Sequence, residues 1–423
     1  MISPARLLPL VGSLLSLVSG LPTTSPTSVV RPPTEDPFYS APHGYETTPP
    51  GTILRLRPAP GNLTALVGNA SAVYNIVFRT TDSQYHPSWA VTTLFIPSKP
   101  HHGNMSSLLS YQIAYDSHDI NASPSYAMYS SPPIDISLAL SQGWHVNVPD
   151  YEGPLASFTA GVQSGHSTLD SIRSVLYSNV TAFNIKASSS RTALWGYSGG
   201  ALASEWATEL QAQYAPELRL AGAALGGLTP NITNVMDSVT GTLSAGLIPE
   251  AVLGLASQYP ATYKFLVSQL NPQGNYNRSA FLSAQNMTLS QAEVFFAGQD
   301  VYKYFVNGSD TFKAPVVQHA LNRDGYMGYH GVPQLPIYAY KAIHDQVSPV
   351  GDTDALLKRY CGVGVNILYE RNTVGGHSAE SINGHARSLQ FVASVLDGSY
   401  ARLYPTKGCT FRDVTLNVTD SAL

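Results

Sequence analysis

Apolar residues alternate or cluster in strand fashion over Ala72–Arg79 and Trp89–Ile96, and again over Leu108–Ala114 and Trp144–Val148. Between the second pair, apolar positions 134, 138 and 140 predict a short helix over Ile134–Gln142. A longer helix is predicted over Phe158–Tyr177, where Ala160, Val162, Leu169, Ile172, Val175 and Leu176 fall mostly on one side. A strand at Thr192–Trp195, a helix at Gly200–Tyr214 and a strand at Leu220–Leu225 follow. Such alternation predicts an α/β fold with a mostly parallel sheet covered by helices on both faces.

The pattern then changes. From Thr229 to Tyr326 there is no strand signal, and helices are predicted at Glu250–Ala256, Ala261–Leu270 and Leu289–Phe296. Strands return at Ile337–Lys341 and Val365–Tyr369, with a closing helix at Ala386–Leu396. The chain therefore reads as two parts of one core, 21–228 and 328–423, with a helical cap, 229–327, inserted over the sheet. Leu21–Pro60, rich in Pro, Thr and Ser, reads as an extended arm.

Residues 1–20 change the compartment. Arg6 precedes the apolar run Leu7–Val18 and the small residues Ser19 and Gly20, which is the layout of a cleaved secretory signal. Ten Asn-x-Ser/Thr sequons fit secretion: Asn62, Asn69, Asn104, Asn121, Asn179, Asn231, Asn277, Asn286, Asn307 and Asn417. Only 12% of residues are charged, about half the usual fraction, so attached glycan is expected to supply solubility. In an oxidising compartment Cys361 and Cys409 are expected to pair, the alternative being two buried thiols. A net charge of −4 with no basic block argues against nucleic-acid binding. His101 and His102 stand in a Gly- and Pro-flanked loop without metal-ligand spacing and read as solvated surface, so no metal is expected.

The chemistry concentrates at Gly196-Tyr197-Ser198-Gly199-Gly200, a G-x-S-x-G turn between a predicted strand and helix. Gly196 and Gly200 allow strand and helix to meet where a β-carbon would clash, and Ser198 would project above the sheet. Small residues also pack ordinary junctions, but here the partners follow in the order nucleophile, acid, histidine. Asp345 comes directly after a strand; Asp352 and Asp354 compete, yet they open a helix at Ala355–Tyr360 and suit its start better. His377, in Gly375-Gly376-His377-Ser378, sits on the loop after the next strand. His385 satisfies the order too but begins the closing helix, where a solvated or capping role is expected. His344 is too close to Asp345 on a tight loop to serve. The oxyanion donors are expected at Gly199 and in the loop Tyr115-Asp116-Ser117.

The run Gly196–Ala201, with Glu205-Trp206-Ala207 and Tyr214-Ala215-Pro216-Glu217-Leu218 after it, resembles the fungal secretory lipase family. Ser110-Tyr111-Gln112, Ser123-Pro124-Ser125-Tyr126, Asp150-Tyr151-Glu152-Gly153 and Leu169–Arg173 extend the resemblance over most of the mature chain. It implies an α/β-hydrolase with a large helical cap, a triad of Ser198, Asp345 and His377, oxyanion residues Asp116 and Gly199, and a Cys361–Cys409 disulfide. The chain departs from the family at Ala122, where a cysteine tying cap to core would stand.

The expected function is thus a secreted serine ester hydrolase without cofactor. A lipase comes first, since Leu243–Leu255 is apolar enough to line an acyl tunnel or touch a lipid surface, although an ordinary buried helix would look the same. Family members also include esterases that deacetylate small fungal metabolites, so an esterase deacetylating or transacylating such a metabolite is the alternative. A catalytically dead binding glycoprotein is the remote third, and it predicts a broken triad. The expected partner is a lipid or small ester, met by a monomer with transient lipid contact.

Overall fold

The computed structural model describes residues 29–100 and 105–418. The expected signal (residues 1–20), the sequon at Asn104 and the pair His101–His102 lie outside the described residues.

Ten strands form one sheet in the order β1-β2-β3-β5-β4-β6-β7-β8-β9-β10. They run Ile53–Pro58 (β1), Ala70–Thr81 (β2), Pro87–Pro97 (β3), Ser106–Gln112 (β4), His145–Pro149 (β5), Ser190–Tyr197 (β6), Leu220–Gly226 (β7), Ile337–Ala342 (β8), Ile367–Asn372 (β9) and Cys409–Val414 (β10). β1, β2 and β3 pair antiparallel, as do β3 and β5; every pairing from β5 through β4 to β10 is parallel. The arrangement is that of an α/β-hydrolase. The β4–β6–β7–β8–β9 block is buried on both sides, as parallel sheets must be, because helical crossovers cover its faces. One face packs on helices Gly161–Leu176 and Gly199–Tyr214; the other packs on Ile134–Ser141 and His385–Asp397.

Two strands were not legible from pattern. β1 lies inside the Pro-rich stretch read as an extended arm, and short helical turns at Pro33–Glu35, Pro37–Tyr39 and Tyr45–Thr47 precede it. This stretch is anchored: Tyr39 is buried, and Trp89 donates its indole N–H to the Tyr39 carbonyl at 2.8 Å. β10 extends the sheet beyond β9, and Cys409 at its start is bonded to Cys361 at the end of helix Val350–Gly362. That helix begins five residues earlier than its apolar pattern predicts, with Pro349 as its N-cap.

Between β7 and β8 the chain runs through helices Ile232–Val239, Leu247–Ser257, Pro260–Gln269, Arg278–Leu282, Leu289–Phe296 and Pro315–Asp324. Their apolar faces continue the cluster that covers the sheet. In the Leu243–Leu255 stretch, Leu243 is 79% exposed, whereas Ile248, Val252, Leu253 and Leu255 are buried. Among the sequons, Asn62, Asn69, Asn179, Asn286, Asn307 and Asn417 are exposed, and Asn121, Asn231 and Asn277 are half-buried.

Candidate active site

The chain leaves β6 at Tyr197 and enters helix Gly199–Tyr214 with only Ser198 between them. Ser198 takes φ +53° and ψ −122°, a left-handed conformation disfavoured for any residue with a β-carbon. Two glycines make the turn possible. A β-carbon on Gly196 would lie 2.2 Å from the Gly200 carbonyl oxygen, and one on Gly200 would lie 2.0 Å from that of Gln112. Strand β4, helix and turn therefore touch through bare backbone. Ser198 closes the turn by donating its amide to the Gly226 carbonyl at 2.9 Å.

The structure brings Ser198, His377 and Asp345 together from three separate segments. Ser198 Oγ lies 2.8 Å from His377 Nε2, and His377 Nδ1 lies 2.7 Å from Asp345 Oδ2. The competitors stand elsewhere. Asp352 accepts from Asn234, Asp354 pairs with Arg371, and His344 is exposed. His385 departs from its expected solvated or capping role: its ring hydrogen-bonds Asp135 and lies against Trp195 at 5.4 Å, because the closing helix packs this end onto the sheet.

Asp345 accepts four hydrogen bonds. Oδ1 takes the amides of Val347 and Ser348, each at 2.9 Å; Oδ2 takes the imidazole and, at 2.9 Å, Lys341 Nζ. Burial alone would raise this carboxyl, but His377 and the Lys341 ammonium outweigh it and hold it down at about 2. It is therefore an anion throughout the neutral range. Lys341 was missed by sequence reasoning. It is fully buried and also donates to the Leu228 carbonyl at 2.7 Å; burial pulls its pKa down and Asp345 pulls it back up. The available signal was a lysine inside an otherwise apolar strand four residues before the acid. Gln346 was missed as well, and Tyr197 was read only as part of the turn: the Tyr197 hydroxyl donates to the His377 carbonyl at 2.5 Å, and Gln346 accepts the His377 amide at 3.0 Å. Both fix the backbone that carries the imidazole.

Asp116 faces Ser198 from the loop after β4. Its φ is +47°, and its Oδ1 lies so close over Gly199 that a β-carbon there would sit 1.8 Å away. Oδ1 is buried without a hydrogen-bond partner. Burial, with Glu293 nearby as a second cause, raises the Asp116 carboxyl to about 7. Gly199, as the first residue of its helix, has an amide with no acceptor one turn back and adds the positive end of the helix dipole.

Asp116, Ser198 and Gly199 open into an apolar cavity walled by Phe158, Leu202, Ile232, Val235, Met236, Val239, Leu247, Ile248, Ala251 and Val347. Its volume is about 30 Å³, room for two or three water molecules. So Leu247, Ile248 and Ala251 of the Leu243–Leu255 stretch do reach the site, while Val252, Leu253 and Leu255 are buried away from it and Leu243 is exposed. Among the described residues no group of His, Cys, Asp and Glu is arranged to hold a metal, and no helix is long and apolar enough to cross a membrane.

Known proteins resemble this chain in sequence and fold. The chain is 50% identical to the trichothecene C-3 esterase of Fusarium sporotrichioides over 93% of this chain and 90% of that protein. It is 37% identical to lipase A of Arthroderma benhamiae over 89% and 82%. Candida antarctica lipase A in its closed state superposes with a TM-score of 0.81 at 28% identity, covering 92% of this chain and 91% of that one. Lipases and an esterase on one fold share ester hydrolysis, and the family name points to secretion. Residues 131–402 match the secretory lipase family model, and the chain belongs to that family of carboxylic ester hydrolases.

Proposed function

We propose that Ser198, His377 and Asp345 are the catalytic triad of a secreted esterase that removes short acyl groups, acetyl above all, from a small secondary metabolite. Cavity size is the observation that carries this reading. A space of about 30 Å³ beside Ser198 is small and suits a short acyl group better than a long one. The relatives support it: identity to the trichothecene C-3 esterase is 50% and to a probable trichothecene esterase of Stachybotrys chartarum 41%, against 37% for the Arthroderma lipase. The second reading, a triacylglycerol lipase, is favoured by the 0.81 TM-score to Candida antarctica lipase A.

In this mechanism His377 Nε2 takes the Ser198 proton as Oγ attacks the ester carbonyl, then delivers it to the departing alcohol. Asp345 holds the imidazole with Nδ1 protonated. Water enters by the same route and releases the acid. The oxyanion meets the Gly199 amide and Asp116. A carboxylate at Asp116 would repel that charge, whereas its acid form can donate a hydrogen bond to it.

The substrate assignment is tested with purified protein on trichothecene acetates and on 4-nitrophenyl esters from acetate to decanoate. The expected kcat/KM for acetate exceeds that for octanoate by at least about tenfold. Preference for octanoate, or faster turnover of emulsified triacylglycerol, assigns the chain to the lipases instead.

The Asp116 role predicts a pH dependence. Activity falls as pH rises through about 7, because the proton donor is lost there. Asp345, held at about 2, imposes no such loss on the acid side until far lower pH. Asp116→Asn keeps a donor at every pH and is expected to flatten the alkaline fall; an unchanged profile removes the Asp116 side chain from the oxyanion site.

A further inference from the structure

Behind the cavity at Ser198 lies a second one. It is walled by Val252, Leu255, Ala256, Leu266, Phe312 and Leu321, among others, and its volume is about 10 Å³. Three residues line both cavities: Ile232 and Met236 from helix Ile232–Val239, and Ala251 from helix Leu247–Ser257. The partition is therefore one side chain thick. The polar side chain in the second cavity, Thr262, spends its hydroxyl on the Val316 carbonyl at 2.8 Å. Nothing there binds water well, and a dry apolar void favours hydrocarbon.

We propose that Met236, with Ile232 and Ala251 beside it, is the stop that sets acyl length in this enzyme, and that the void behind it is the path a longer chain would take if the stop were removed. The proposal rests on the short-acyl reading above. Of the three partition residues Met236 reaches furthest from its helix, on an unbranched chain. Ala251 is too short to bar the way alone, and Ile232, branched at its β-carbon, holds a fixed rotamer. The wall thus combines two fixed parts with one long, adaptable one. Removing the adaptable part would join the two voids.

The test measures kcat/KM for 4-nitrophenyl acetate and decanoate with wild type, Met236→Ala and Met236→Val. Met236→Ala is expected to raise the decanoate-to-acetate ratio at least about tenfold over wild type, and Met236→Val to raise it by less. Adding Ala256→Leu to Met236→Ala refills the rear void and returns the ratio towards wild type, an effect that general loosening of the cap would not give. Thermal unfolding verifies the fold of each variant, and Met236→Val decides if Met236→Ala does not fold. An unchanged ratio in folded variants overturns the stop. A wild type that already prefers decanoate overturns the short-acyl reading, while the variant-to-wild-type comparison still reports on Met236.

Discussion

Ser198→Ala is expected to lower kcat at least about 10⁴-fold on any ester the enzyme accepts, with the fold intact. The effect is expected to be large because the hydroxyl is one of three groups proposed to act as a unit. Without Oγ, His377 has no proton to take, and the ester must wait for water held by no fixed partner. The residual rate comes from the oxyanion donors and from binding alone. Stability is expected to change little, since alanine inherits the same φ of +53°. Ser198→Gly separates the two consequences: it is equally inactive but relieves the backbone, and so unfolds at a higher temperature. A fluorophosphonate probe reads the same chemistry directly, labelling wild type and neither variant. Near-normal turnover by Ser198→Ala would show that another group is the nucleophile.

Asp345→Asn is expected to cost about 10⁴-fold in kcat, because an amide NH₂ towards Nδ1 favours the wrong imidazole tautomer. Here the change does a second thing. Asp345 Oδ2 is the counter-charge of fully buried Lys341, so the variant strands an ammonium in the core. Breaking a buried pair from one side costs about 3–5 kcal/mol, and the unfolding midpoint should fall accordingly. The double variant Asp345→Asn with Lys341→Met removes the stranded charge. It should recover most of the midpoint and none of the activity. Recovery of both would mean that Asp345 serves the fold and not the reaction.

The site was legible where backbone geometry forces residue identity. Only glycine fits at 196 and 200, and the order nucleophile, acid, histidine follows from strand order in this fold, so Ser198, Asp345 and His377 could be picked from spacing. What depends on packing could not. Lys341 looked like one polar residue in an apolar strand; its partner is visible only once β8 and the following loop fold together. His385 looked solvated because its neighbour Asp135 is 250 positions away. β1 and β10 carry arginines among their apolar residues and fold as strands only because β2 and β9 offer them partners. Cavity size is the extreme case: it is set by side chains from several segments, Phe158, Leu202, Met236 and Ile248 among them, whose convergence no periodicity encodes.

The disulfide has a consequence for the sheet as a whole. β10 is an edge strand, held on one side by β9 and open on the other, with Phe411 39% exposed along it. An open edge invites another chain to add itself, and the charged Arg412 and Asp413 discourage this only in part. Cys361–Cys409 latches the first residue of that strand to a helix packed beneath it, so the edge cannot peel away and uncover β9, which is buried. Reduction would leave Ser198, which follows β6 in the middle of the sheet, untouched at first. The damage would come as self-association, from a strand released at the border of the molecule.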